Sequence, residues 1–203
     1  MSEHTSQFAQ DTIQLANVPI ARPSASTENH QTTGALLHHI VIVGGGAAGL
    51  ELATKLGEKL GRRDQARITL VDRSRTHIWK PLLHSVAAGS LRRSQHELNY
   101  IAQAHWHHFR YRNGEMTGLD RVAKTIALAA TQDNEGREIS PKATVTYDTL
   151  VIAVGSQTND FGTLGAAEHT IKLDSPQAAK RFNDRLINAC IRAQSVPLSL
   201  IHI

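Results

Sequence analysis

Hydrophobic and polar positions change rhythm sharply at Ile40-Val41-Ile42-Val43. These four apolar residues, mostly β-branched, form an unbroken run that stops at glycines, the pattern of a strand buried on both faces. The chain then turns helical over about Ala47–Leu60, ends at Gly61–Gln65, and gives a second strand pattern over Ala66–Asp72. Arg73–Ser90 reads as a loop with a short helix after Pro81, proline being suited to a first helical position. Leu98, Ile101, Ala102 and His105 recur at helical spacing and predict a helix over Glu97–Ala104. Phe109–Asp120 and Val122–Ala129 predict strands joined by a turn at Asp120-Arg121, and Thr131–Pro141 a polar hairpin loop. Thr144–Tyr147 predicts a short strand and Leu150–Val154 a buried one, closed by Gly155. Ser175-Pro176 predicts the cap of a last helix, Gln177–Arg192, with Ala179, Phe182, Leu186 and Cys190 on one face. Residues 1–37 are polar and without sustained periodicity, and are expected to be disordered. No internal repeat is present.

The chemistry is concentrated where the first strand meets the first helix. Gly44, Gly46 and Gly49 fit G-x-G-x-x-G. The first glycine permits a tight turn, the second removes a side chain where a pyrophosphate approaches, and the third lets helix and strand pack closely. The helix then offers free N–H groups and a positive dipole end to phosphates. Asp72 ends the second strand 23 residues after Gly49, close to the spacing of about 20 at which an acid accepts hydrogen bonds from an adenosine ribose. It would repel a 2′-phosphate, so NADP is disfavoured. The bland alternatives are a glycine turn with no ligand and a loop-initiating Asp, and the two features together outweigh both. A dinucleotide is specified, NAD or FAD. A domain binding NAD alone continues βαβαβ. Leaving the sheet for an antiparallel meander after the second strand is more like a flavin-binding domain, so the expected fold is α/β: a Rossmann-like parallel sheet plus an antiparallel meander.

Composition narrows this further. Of 203 residues, 40% are hydrophobic, enough for a real core, and the net charge of +4 is modest. Lys and Arg are scattered with no basic stripe among aromatics, so nucleic acid is not an expected partner. Cys190 is the only cysteine, which excludes an intrachain disulfide and any CxxC pair. No segment reaches the roughly 18 apolar residues of a membrane span. The first basic residue is Arg22, so no signal-peptide pattern opens the chain, and a cytoplasmic location is expected.

Three blocks in order resemble the type II NADH dehydrogenases, single-chain flavoenzymes that pass electrons from NADH to quinone without pumping protons: Ile40–Ala53 (IVIVGGGAAGLELA), Val71–Leu91 (VDRSRTHIWKPLLHSVAAGSL) and Tyr147–Gly165 (YDTLVIAVGSQTNDFGTLG). The middle block is the most specific. The resemblance spans roughly Ile40–Gln194. It implies that Gly44, Gly46, Ala47, Ala48 and Gly49 hold the FAD pyrophosphate and that Asp72 binds the ribose. It also implies that Lys80, Pro81 and Leu82 lie near the riboflavin, that Met116 meets the adenine through its backbone, and that Ala153 and Gly155 pass close to the FAD. Two departures are mild: Ala48 stands where many relatives have glycine, and Leu60 where a further glycine is expected, with Gly61 next door. The larger departure is length. The resemblance implies a second glycine-rich NADH domain, a later segment completing the FAD site, and a C-terminal part with the quinone pocket and a membrane anchor.

The expected organisation is therefore an FAD-binding domain over 38–174, truncated before the NAD-binding domain, a connecting helix over 175–194, and a tail over 195–203 that does not look like family sequence. The 203 residues are expected to be inactive by themselves. As a whole protein, the resemblance implies an enzyme peripheral to the cytoplasmic face of the inner membrane, with NADH and quinone as substrates and room for a homodimer. No side chain is expected to be a nucleophile or general base, because the flavin carries the chemistry. Disulfide reductases are rejected because Trp79-Lys80-Pro81-Leu82 stands where their cysteine pair belongs. Sulfide:quinone reductases, which need cysteines by the flavin, and a non-catalytic nucleotide-binding module are the alternatives. His105, His107 and His108 around Trp106 lack a third ligand nearby, so a solvated helix end is favoured over a metal site. His77 and His84 flank the WKPLL block, with loop packing favoured over proton shuttling. Cys190 is expected to be a buried structural thiol.

Overall fold

The computed structural model describes residues 37–133 and 135–195; of the lead-in expected over 1–37 and the tail expected over 195–203, all but Leu37 and Ser195 lie outside them, and Ser195 ends the last helix. Four strands form a parallel sheet in the order β11-β1-β2-β5: β1 is His38–Val43, β2 Ala66–Asp72, β5 Arg110–Asn113 and β11 Thr149–Ile152. Side chains alternate across it. Ile42, Ile68 and Leu70 face helix α1 (Ala47–Lys59) and helix α3 (Tyr100–Trp106), packing with Leu50, Ala53, Tyr100, Ala104 and Phe109. Val41, Val43 and Val71 face the other way, onto Ile126 and Leu128. Those two belong to β7 (Thr125–Leu128), the middle strand of an antiparallel sheet with β6 (Met116–Asp120) and β10 (Ala143–Thr146). The molecule is thus a Rossmann-like α/β layer structure with a meander on one face, as the pattern predicts.

The path after β2 differs from the expectation. The segment read as one strand, Phe109–Asp120, is two. Arg110–Asn113 pairs in parallel with β2, so a third parallel strand is added before the chain leaves for the meander. The break falls at Gly114, whose N–H donates to the Asp72 carbonyl at 3.0 Å. The turn after β6 is wider than two residues: Asp120 accepts from the N–H groups of Val122 and Ala123, and Val122 is exposed. Thr131–Pro141 contains a small strand pair, β8 (Thr131–Gln132) and β9 (Glu138–Ser140).

The helix predicted over Glu97–Ala104 runs instead over Tyr100–Trp106, because Asn99 caps it, accepting from Ile101 and Ala102 N–H. Just before it, Leu98–Asn99 forms β4, paired with β3 (Thr76–His77). The buried face of α3 is Tyr100 and Ala104; Leu98 and Ile101 of the expected stripe are exposed. Ser175 caps the last helix, its Oγ accepting from Ala178 N–H at 3.2 Å. That helix spans Pro176–Ser195, with Ala166–His169 as the short α4 before it, so it is α5. Only Ala179 of α5 is buried, against Leu83 and Ala87 of α2 (Leu83–Ala87). Phe182, Leu186 and Cys190 are exposed, so the expectation of a buried thiol is overturned: α2 is too short to cover the later turns of the helix.

Candidate functional site

The site is built at the carboxyl ends of the parallel strands. There the chain runs from β1 to β2 on one side and pairs with β11 on the other, the crevice where open α/β sheets bind ligands. The glycines of the turn serve different neighbours. Gly44 has φ +103°, and a Cβ on it would meet the Ala153 carbonyl. A Cβ on Gly49 would collide with the Gly44 carbonyl, and one on Gly45 with the ring of Tyr100. Gly46 alone of the four has nothing within 4 Å of its missing Cβ. It is the N-cap of the 13-residue α1, with extended backbone and no side-chain cap. Ala47 and Ala48, in the first turn, are exposed. The turn therefore presents an uncovered cradle of backbone N–H groups at the positive end of a helix, which fits a pyrophosphate.

A cavity of about 280 Å³ continues from the turn. It brings together Gly44, Asp72, Met116 and Gly155 of the expected residues, along with Arg73 and Val154. Gly155 has φ +73°, and nothing lies within 4 Å of its missing Cβ. Ala153 is held in register by its N–H to the Val43 carbonyl at 2.7 Å. Lys80, Pro81 and Leu82 form a 3₁₀ turn outside this cavity. Lys80 Nζ donates to the Ser156 carbonyl at 2.9 Å and pairs with Asp174 at 2.8 Å, tying the turn to the residue after Gly155. Lys80, ahead of the Thr158 N–H and hydroxyl, holds the Asp174 carboxyl below its ordinary range. Lys80, Pro81 and His84 border a separate cavity of about 560 Å³; Leu82 lines neither.

Asp72 does more than the sequence predicts. Its Oδ2 accepts the Gly45 N–H at 2.6 Å and its Oδ1 the Ser74 N–H at 2.7 Å, so the carboxylate ties β2 to the glycine turn as well as bordering the cavity. Three residues that the sequence reading missed hold this arrangement. Tyr100, 2% exposed, donates its hydroxyl to the Gly45 carbonyl at 2.6 Å and stacks on Tyr111 at 5.2 Å. Burial, with a smaller push from Asp72, raises its phenol well above the ordinary tyrosine value, so it stays a donor. Tyr111 donates to the Ser74 carbonyl, and Asn113 to the carbonyls of Asp72 and Arg73. The signal was Gly45: G-x-G-x-x-G does not require a glycine there, and its lack of a side chain makes room for an aromatic ring.

His77 packs behind the turn, 6.5 Å from the Tyr100 ring, and burial pushes its imidazole down. His84 is exposed, and Trp79 is largely exposed. His107 pairs with Glu58 at 2.9 Å, and among the described residues no three His, Cys, Asp or Glu side chains are grouped to hold a metal. Among the described residues no helix is long and apolar enough to cross a membrane.

Comparison with known proteins agrees with this architecture. Residues 38–195 match the profile of the pyridine nucleotide-disulphide oxidoreductases. The chain is similar to the type II NADH:quinone oxidoreductase of Haemophilus influenzae, 44% identical over 156 residues, covering 77% of this chain and 35% of that protein. It is 28% identical over 146 residues to the Staphylococcus haemolyticus protein of the same name, covering 71% and 33%. Its fold is similar to that of the Plasmodium falciparum NDH2 solved in complex with NADH, with a TM-score of 0.64 at 20% identity over 80% of this chain and 31% of that one. The chain spans about a third of the length of the curated relatives it matches. With a glycine turn, a strand-end acid and a family match over most of its length, the chain belongs to the pyridine nucleotide-disulphide oxidoreductase family.

Proposed function

We propose that residues 38–174 are the FAD-binding part of a type II NADH:quinone oxidoreductase, with α5 leading toward its NADH-binding domain. The observation that carries this reading is Gly46. In a turn whose other glycines are pressed against Ala153, Tyr100 and the turn itself, it alone faces open space. The Gly44–Gly49 turn and the first N–H groups of α1, including those of Ala47 and Ala48, would hold the pyrophosphate. Asp72 would accept from the adenosine ribose with the lone pairs left by Gly45 and Ser74, and the Met116 backbone would meet the adenine. Ala153, Gly155 and the Lys80-Pro81-Leu82 turn would border the riboflavin part, with Lys80 held by Asp174 and Ser156. When bound, the flavin supplies the redox chemistry, taking hydride from NADH and passing electrons to quinone. The protein's own residues bind, orient and shield. Work at the cytoplasmic face of a membrane belongs to the same proposal.

Isothermal titration of the chain with FAD and with NAD tests the reading. FAD is expected to bind more tightly, and tighter binding of NAD would overturn it.

A further inference from the structure

A second concentration of polar groups lies at the amino ends of the strands, between the parallel sheet and β10. A cavity of about 330 Å³ there is lined by Arg67 and Thr69 of β2, Arg110 and Arg112 of the edge strand β5, and Thr144 and Thr146 of β10. His39, near the start of β1, borders it too. The register explains the convergence. Thr69 is paired with Arg110 and His39 with Arg67, so these side chains share the face of the sheet that Val41 and Val71 present to the meander. The cavity shares no lining residue with the one beside the glycine turn.

Its charge is one-sided. No carboxylate lines it. Among the described residues Arg67, Arg110 and Arg112 have no ion-pair partner. The Nε of Arg67 is buried without a hydrogen-bond acceptor. Arg67 Nη2 lies 3.0 Å from His39 Nδ1, and His39 Nε2 lies 2.8 Å from Thr69 Oγ1. A guanidinium only donates, so Nδ1 accepts, Nε2 carries the proton, and the ring is neutral. Burial holds this imidazole below its ordinary value, and Arg67 and Arg110 add to the effect; the Thr146 backbone and Asp148 oppose it. Asp148, whose Oδ2 accepts the His39 N–H at 2.7 Å, is not among the lining residues.

Three guanidinium groups around one cavity repel each other, and an anion between them relieves that repulsion. Arginine forks beside the Thr69 hydroxyl match a tetrahedral oxyanion of more than one negative charge better than a lone carboxylate. We propose that this cavity is a binding site for a phosphate oxyanion, free or as a small soluble phosphate monoester, held by Arg67, Arg110 and Arg112 with the Thr69 hydroxyl.

The test uses the full chain and the assigned His39 ring signals in NMR, titrated in inorganic phosphate and in chloride at matched ionic strength. An anion that cancels the field of Arg67 and Arg110 raises the His39 midpoint. Phosphate at the glycine turn does not, because His39 borders the other cavity. The expected result is an upward, saturable shift in phosphate alone. In the double variant Arg110→Gln, Arg112→Gln, phosphate affinity should fall by about tenfold or more, the scale of lost charge-assisted contacts. Both positions are exposed, and circular dichroism checks the fold. A His39 midpoint that is the same in phosphate and chloride overturns the proposal without any variant. So does an undiminished phosphate response in a folded double variant, or a response to phosphatidylglycerol vesicles but not to inorganic phosphate.

Discussion

Gly46→Ala separates ligand binding from folding. The residue has φ −62° and ψ −174°, extended backbone that alanine adopts freely, and the added methyl meets nothing within 4 Å. Alanine is a poorer N-cap than glycine by about 0.5–1 kcal/mol. It also restricts the unfolded chain, which returns about 0.4–1 kcal/mol. The two terms nearly cancel, so the cofactor-free protein should keep its stability to within about 0.5 kcal/mol. Gly49→Ala is the contrast. Its methyl would strike the Gly44 carbonyl, and because the obstacle is backbone the cost should reach the top of the overpacking range, about 3 kcal/mol. Urea unfolding without cofactor measures both. In a titration with FAD, Gly46→Ala should lose at least about tenfold in affinity, or about 1.4 kcal/mol, because under the proposed assignment the methyl would take the space of a phosphate oxygen. FAD binding equal to wild type would refute the assignment of Gly46 to the pyrophosphate. Destabilisation as large as that of Gly49→Ala would refute the reading of Gly46 as open.

Tyr100→Phe keeps the ring stacked on Tyr111 but leaves the Gly45 carbonyl without its donor. It should cost about 1–2 kcal/mol in urea unfolding, and a loss below about 0.3 kcal/mol would show the bond to be dispensable. Asp72→Ala should weaken FAD binding by about 1–3 kcal/mol and FMN, which has no adenosine ribose, by clearly less, through the loosened glycine turn alone; equal losses would assign Asp72 to the fold alone. The Asp174 carboxyl is held below its ordinary value of 3.8, so its pairing with Lys80 stabilises the fold above that pH and is lost as pH falls through the lower folded value. Both groups are partly exposed, so Lys80→Met should cost only about 0.2–1 kcal/mol near neutrality. The gap from wild type should close on acidification below the folded value, and a gap independent of pH would sink the idea.

The strand–glycine–helix–strand unit from His38 to Asp72 was legible because each step is local. An apolar run, fixed glycine spacing and a terminal acid depend on neighbours a few residues away or on one short crossover. The third parallel strand was not. Arg110–Asn113 and Met116–Asp120 each alternate, in opposite phase across Gly114, and nothing in a period of two says whether a strand pairs in parallel or antiparallel. The hydrogen bonds from Gly114 and Asn113 back to Asp72 decide it. The buried face of α3 misled for a different reason. Counting hydrophobicity favoured Leu98 and Ile101, but the space behind the glycine turn takes an amphipathic ring whose hydroxyl can reach a carbonyl, and a small residue, Ala104, one turn on. The pattern puts Cys190 on an apolar face, yet the thiol is exposed, because a helix pattern shows which side is apolar and not what lies against it.

The double duty of Asp72 makes a sharper demand on its chemistry than spacing could show. Two backbone N–H groups arrive on different oxygens, Gly45 on Oδ2 and Ser74 on Oδ1. A carboxylate accepts at both. An amide has one acceptor oxygen and one NH₂, so in either orientation of Asp72→Asn a donor faces a donor. The substitution of nearly equal shape should therefore be no milder than alanine in the cofactor-free protein, with a loss of about 1.5–3 kcal/mol for the charged bond removed. It should also loosen the turn that Tyr100 holds from the other side. Urea unfolding of Asp72→Asn beside Asp72→Ala decides this. If asparagine retains wild-type stability, the carboxylate does not hold the turn through both oxygens, and its place at the end of β2 serves the cavity alone.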